Sequence, residues 1–230
     1  MKRIGLVVAY DGTNYSGWQI QPNGVTIQGV LNDTLTELLG EKIEIMGASR
    51  TDAGVHALGN VAVFDTNTRI PGEKISYALN QRLPDDIVVQ NSSEIPLDWH
   101  PRHCNSRKTY EYRILNREFP MPQRRLDTWF VYRKLNIPAM CEAAEQFEGT
   151  HDFKSFCSVN TAVEDTTRTI YSCELKQDGE LFKIRMKYQL RKGDTAFAIG
   201  QTNFSESKGS LWILSAYDNR QLSAQKHKGL

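Results

Sequence analysis

Apolar positions along the chain fall into two patterns, short β-branched runs and longer stretches at helical spacing. Residues 4–10, IGLVVAY, are short and apolar, which predicts a first strand. A Gly/Asn/Pro-rich loop leads to Thr26, a residue suited to cap a helix, with Val25 and Val30 at the spacing of a hydrophobic staple. Ile27, Val30, Leu31, Leu35, Leu38 and Leu39 form one apolar stripe, and Gly40 suits the position just past the helix end. Residues 42–46 and 60–65 read as strands, 73–83 as a second helix with Ile75, Ala78, Leu79 and Leu83 at helical spacing, and 86–90 as a fourth strand. The order β-α-β-β-α-β is that of the split-βαβ, ferredoxin-like unit, an antiparallel sheet with two helices on one face.

The second half begins in the same way. Residues 109–115, TYEYRIL, alternate and predict a half-exposed strand, with 128–133 as its partner. A helix is expected over 137–148, with Pro138 in its first turn, Met140, Ala143, Ala144 and Phe147 on one face, and Gly149 at its end. Residues 168–176 and 180–188 form a hairpin around Asp178-Gly179, a strong two-residue turn signal. The expected fold class is α+β, with two pseudo-duplicated ferredoxin-like domains over 1–104 and 105–188 and an atypical tail over 189–230. A helix and a last strand should complete the second unit. Residues 187–230 instead carry seven Lys/Arg against three Asp/Glu and no sustained helical stripe, and only 211–217, LWILSAY, is strand-like. The tail's Ser/Lys/Gln/Asn-rich ends favour loop or disorder, so the second domain reads as incomplete.

Composition narrows the class. The 230 residues are 40% hydrophobic and 24% charged, which argues against a disordered chain, a collagen and a disulfide-rich mini-protein. No apolar run reaches the roughly 18 residues a membrane-spanning helix needs, so no membrane partner is expected. The start, Met1 to Val8, is basic and then apolar, but Asp11 ends the run too soon for a signal peptide. Cysteines 104, 141, 157 and 173 show no C-x-x-C spacing, which predicts four reduced, buried thiols in a cytoplasmic protein. The net charge of +1 says nothing of a partner, whereas its distribution does.

Three stretches could carry chemistry. The loop 47–59, GASRTDAGVHALG, places Asp52 two residues after Arg50 among glycines. A carboxylate held by a guanidinium stays ionised and oriented, as a nucleophile or general base requires. The bland reading is an aspartate that only organises its loop. The stretch 102–134 holds nine Lys/Arg against three acids, interleaved with Tyr110, Tyr112, Phe119, Trp129, Phe130 and Tyr132. Cations neutralise phosphates and aromatic faces stack on unpaired bases, although the same pattern also suits a strand whose tyrosines pack inward. His100 and His103 sit at a spacing compatible with a metal, but no third ligand is visible and loop histidines are the better reading. Gly12 and Gly17 match neither a P-loop nor a dinucleotide fingerprint, so no nucleotide cofactor is expected. Trp18 is expected to pack near a domain cleft.

The run Ser49-Arg50-Thr51-Asp52-Ala53-Gly54-Val55-His56-Ala57 resembles the G-R-T-D-A-G-V-H signature of the tRNA pseudouridine synthase A family. Tyr10-Asp11-Gly12, Gly17-Trp18-Gln19, Ser106 to Arg113, His151 to Phe156 and Thr167 to Ile170 resemble its other motifs, in order. The resemblance covers roughly residues 3–186. It implies two related α+β domains with a cleft between them. It also implies isomerisation of uridine to pseudouridine in the anticodon stem-loop of tRNA, at tRNA positions 38, 39 and 40, by a homodimer that uses no metal or organic cofactor. Asp52 corresponds to the family's catalytic aspartate and Arg50 to the residue that orients it. Tyr110 corresponds to the tyrosine that packs on the target uracil. Arg102, Arg107, Lys108 and Arg168 are candidates for phosphate contacts.

Two positions depart from the family pattern. Ser49 stands where the family has Gly. After Phe182-Lys183-Ile184-Arg185 the family continues with a G-F-L-Y-N-M-V-R-like strand and helix and then a closing strand, whereas this chain reads Met186-Lys187-Tyr188-Gln189-Leu190. The family's arginine from that helix has no counterpart here. Alternatives to an active synthase are a non-catalytic tRNA-binding protein and an inactive synthase with a truncated or out-of-frame tail.

Overall fold

The computed structural model describes residues 1–102, 106–156, 165–190 and 212–218. His103, Cys104 and Cys157, and most of the tail, lie outside them. The elements are β1 (Lys2–Tyr10), α1 (Ile27–Leu39), β2 (Met46–Gly47), β3 (His56–Thr66), α2 (Gly72–Asn80), β4 (Ile87–Ile95), β5 (Ser106–Asn116), β6 (Trp129–Val131), α3 (Ile137–Glu145), β7 (Gly149–Asp152), β8 (Thr167–Asp178), β9 (Leu181–Leu190) and β10 (Trp212–Asp218). The protein is α+β, as its patterning predicts.

Helix α1 starts where its cap dictates. The Gly29 amide donates to Thr26 Oγ1 at 3.2 Å, and Gly40 closes the helix at φ 65°, in the left-handed region. Ile27, Leu31 and Leu35 are buried, so the stripe faces the sheet. Val25 is 61% exposed and makes no staple onto Val30. The strand expected over 42–46 shrinks to Met46–Gly47, because α1 side chains capture the backbone before it. The Ile43 amide donates to Thr36 Oγ1 at 3.1 Å and the Ile45 amide to Asn32 Oδ1 at 2.9 Å, while Gln28 Nε2 donates to the Ile45 carbonyl at 2.9 Å. Ile43 and Ile45 are still buried, as the alternation requires. The second helix ends at Asn80 and the third at Glu145, each a turn earlier than its apolar spacing suggests.

The strands form one mixed sheet in the order β4-β1-β3-β10-β5-β9-β8-β7. In the first half β2 pairs with β3, which gives β4-β1-β3-β2. In the second half the order is β10-β5-β9-β8. The join is β10, from the tail's strand-like 211–217, antiparallel to β5 and parallel to β3. The β8–β9 turn is Gly179-Glu180, one residue beyond the expected Asp178-Gly179, with Asp178 opposite Leu181 and Gly179 at φ 60°. A cross-sheet row runs through Ile87, Tyr10, Ala57, Leu214, Tyr110, Met186 and Cys173. Ile87, Tyr10, Ala57, Tyr110, Met186 and Cys173 are buried in one continuous core, so the two halves share it. Cys173 is thus a buried thiol, while Cys141 is half-buried on α3.

Candidate active site

Asp52 lies on the loop between β2 and β3, and that loop is pinned from beneath. The Trp18 amide donates to the Thr51 carbonyl at 2.9 Å and the Gly54 amide to the Tyr15 carbonyl at 3.3 Å. Tyr10 Oη and Thr51 Oγ1 are 2.8 Å apart, and Asn60 Nδ2 donates to the Ser49 carbonyl at 3.1 Å. The approach is close enough to demand glycine. At Gly17, φ is 87° and a Cβ would lie 2.5 Å from the Thr51 carbonyl oxygen. At Gly47 a Cβ would lie 2.4 Å from the Trp18 indole nitrogen. Trp18 is 1% exposed and supports the loop from the core, with its ring 5.9 Å from that of Tyr10. Ser49, where the family pattern has Gly, is buried, and its hydroxyl finds no hydrogen-bond partner among the described residues. Asp52 and Arg50 are both exposed, on a backbone that is held.

The other half contributes Tyr110 from the middle of β5. Its ring stacks on Tyr188 of β9 at 5.5 Å and 15°. Burial pushes its hydroxyl above the usual tyrosine range, a hydrogen bond with Tyr188 opposes this, and the Asp52 carboxylate adds to the rise. Asp52 and Tyr110 therefore act on each other electrostatically, although they come from different halves. Tyr10 is raised in the same way, chiefly by burial.

Cations gather around this pair. Arg102 Nε donates to the Gly47 carbonyl at 2.9 Å, at the foot of the loop. Burial lowers the Arg102 guanidinium, and the Arg50 charge lowers it further. Lys108, two residues before Tyr110 on the same face of β5, is fully buried. Burial, and then the Arg102 charge, pulls its ammonium down to about 7. Arg107 lies exposed on the opposite face, its guanidinium 4.9 Å from the Tyr171 ring centre. Arg168 is 3% exposed and donates from Nη1 to the carbonyls of Asp165 and Thr167, at 2.9 and 2.8 Å. The sequence thus brings Arg50, Asp52, Arg102, Lys108 and Tyr110 together, and turns Arg107 to the opposite face of β5. Lys108 and Arg168 are buried.

Two neighbours of the site escaped the sequence reading. Tyr188, beneath Tyr110, was legible as an aromatic at the alternate position from Met186 on β9. His56 stood in the signature run but showed no partner until the fold formed. Among the described residues no three His, Cys, Asp or Glu side chains converge as metal ligands, and no helix is long and apolar enough to cross a membrane.

An exposed carboxylate within electrostatic reach of a buried tyrosine, with Arg50 and Arg102 close to each other on the same loop foot, fits a protein that acts on one centre of a polyanionic substrate. The comparisons give that class a family. The model of the tRNA pseudouridine synthase family matches residues 6–103 and 143–207, and so runs past the break in motif near residue 186. The chain is 46% identical over 187 residues to tRNA pseudouridine synthase A of Thermoanaerobacter sp. (strain X514), covering 81% of this chain and 77% of that one. It is 45% identical over 186 residues to the protein of the same name from Acetivibrio thermocellus, covering 81% and 76%. It is 48% identical over 181 residues to that from Clostridium acetobutylicum, covering 77% and 73%. A solved Cbf5-Nop10-Gar1 complex matches 91% of this chain and 57% of its own at 12% identity and a TM-score of 0.38, too low to carry an argument. The chain belongs to the tRNA pseudouridine synthase family, whose reaction is the isomerisation of uridine in tRNA.

Proposed function

We propose that this chain converts uridine to pseudouridine in the anticodon stem-loop of tRNA, at positions 38, 39 and 40, as a cytoplasmic homodimer, with Asp52 as the catalytic carboxylate. The observation that carries the reading is the exposed Asp52 on a backbone-pinned loop within electrostatic reach of Tyr110. The reaction breaks N1–C1′, turns the uracil and joins C5 to C1′. The C5 proton leaves and N1 gains one, so atoms and electrons balance without a redox partner. Asp52 acts on the sugar or on a proton in this sequence, and Arg50 orients it. Tyr110 offers an aromatic surface to the uracil once it leaves the stack, which offsets part of an unstacking cost of a few kcal/mol. Arg50 and Arg102 face the flanking phosphates. Buried Lys108 adds charge from behind them, and Arg107 serves a more distant part of the RNA.

The test is incubation of the purified chain with unmodified tRNA, followed by chemical mapping of pseudouridine, with Asp52→Asn alongside. Product confined to the anticodon stem-loop and absent with the variant is the expected result. A folded protein that binds tRNA without product would support the binding-only reading. The observation that favours that second reading is the break in motif after Arg185, where the family's arginine has no counterpart.

A further inference from the structure

Asp52 and Tyr110 stand on different halves, so something must fix their separation. The backbone link is thin. Strand β10 lies between β3 and β5, and its pairing with β3 spans only Ile213 opposite His56 and Leu214 opposite Ala57. A seam two residues long can act as a pivot. His56 sits on that pivot, four residues after Asp52, with its ring held between the loop after β1 and the segment that follows β5. The Gly12 amide donates to His56 Nδ1 at 3.3 Å, and Asp11 Oδ1 lies 3.0 Å from the same nitrogen. On the other side, Nε2–H donates at 2.7 Å to the carbonyl of Leu126, in the segment between β5 and β6. That segment is tied to β5 in turn, since Asp127 Oδ2 accepts from Arg113 Nη1 at 3.0 Å. The opposite ring nitrogens of one histidine thus hold the loop after β1 and the second half.

We propose that His56 is a positioning residue for the reaction, whose Nε2 grip on the Leu126 carbonyl sets the distance between Asp52 and Tyr110. This rests on the reading of Asp52 and Tyr110 as the reacting pair. Neither ring nitrogen is needed for chemistry; what matters is that the carboxylate loop cannot swing about the β3–β10 seam. A misplacement of about 1 Å at a reacting group can cost roughly a hundredfold in rate, so a remote tether has a kinetic signature.

Two substitutions separate the two grips. His56→Gln keeps a donor where Nε2 was, whereas His56→Asn keeps a polar group only where Nδ1 was. In the full chain, His56→Asn should lower kcat on tRNA by about tenfold or more with KM within about threefold, and His56→Gln should recover most of that loss. Hydrogen exchange should follow the same split. The amides of Gly54, Val55, Asp127 and Thr128 should lose protection together with Asn and keep it with Gln. Equal behaviour of the two variants in both assays, or unchanged exchange at Asp127 and Thr128 with Asn, would overturn the proposal. If the wild-type chain forms no pseudouridine, the functional reading fails on its own, and the exchange pattern still decides whether His56 ties the halves together.

Discussion

Replacing Lys108 by methionine tests whether the positive field behind the site is maintained against the stability of the fold. The lysine is fully buried on the core face of β5, and burial together with the Arg102 charge pulls its ammonium from 10.5 down to about 7. Above pH 10.5 neither state of the chain holds the proton. Between 7 and 10.5 the unfolded chain holds it and the folded chain does not, so stability rises with pH across that window. Below 7 both states hold it, and the folded chain carries a buried charge at the cost its lowered pKa reflects. At about 1.4 kcal/mol per pH unit the whole window corresponds to roughly 5 kcal/mol, and water entry or local relaxation reduces this to about 2–3 kcal/mol. Lys108→Met keeps the packing volume and removes the titration. Urea unfolding of both proteins at pH 6.5, 8 and 9.5 should show the variant more stable by about 2–3 kcal/mol at the lowest pH, with the difference shrinking as pH rises. Parallel pH profiles, or a variant less stable at pH 6.5, would refute the reasoning. The variant should also bind tRNA with a weaker dependence on salt if its charge contributes to the field at the site.

Other perturbations follow from the same geometry. Gly17→Ala forces a side chain into a positive φ and toward the Thr51 carbonyl, so thermal melts should show a loss of about 1–3 kcal/mol, accompanied by reduced turnover because the obstructed backbone belongs to the Asp52 loop. On the opposite face of β5, buried Glu111 accepts from Arg113 Nε at 2.8 Å and from Arg185 Nε at 3.1 Å. Burial pushes its carboxyl up, but the two guanidiniums outweigh it and hold it below the usual range. Its stabilising contribution is therefore present above the ordinary glutamate pKa and is lost as pH falls through its lowered value. Glu111→Gln should cost about 2–3 kcal/mol at pH 7 and flatten the acid limb of the stability profile. An unchanged acid limb would assign that limb to other carboxylates.

Legibility in the sequence followed the range of the interactions. Helix α1 was readable to its caps because Thr26 and Gly40 act within one turn of chain. The strand expected over 42–46 was lost to Asn32, Thr36 and Gln28, whose side chains reach back from a helix that gives no local hint of it. Strand β7 was missed because GTHD is polar and wholly exposed, an edge strand paired with β8. At the site, Asp52 and Arg50 were visible as a motif, while the stacking of Tyr188 and the reach of His56 across to Leu126 depend on elements far apart in sequence. The burial of Arg168, whose Nη1 donates to the carbonyls of Asp165 and Thr167, was equally invisible in its charge alone.

The tail matters most at one strand. Residues 212–218 place β10 between β3 and β5, so the same segment completes the second half and joins it to the first. Without it, β3 and β5 would each present an unpaired edge, and the cross-sheet row from Tyr10 to Tyr110 would be cut at Leu214. A proline at Leu214 tests this through the backbone alone. It removes one ladder donor in a central strand, where proline is otherwise excluded, at a cost of about 3 kcal/mol. If β10 is the weld, the variant should unfold in two steps, and Tyr110 should lose its response to Asp52→Asn in a tyrosine pH titration. A single transition at the wild-type midpoint would mean that the halves are joined by the shared core rather than by the strand. The break in motif after Arg185 would then leave the joint between Asp52 and Tyr110 intact.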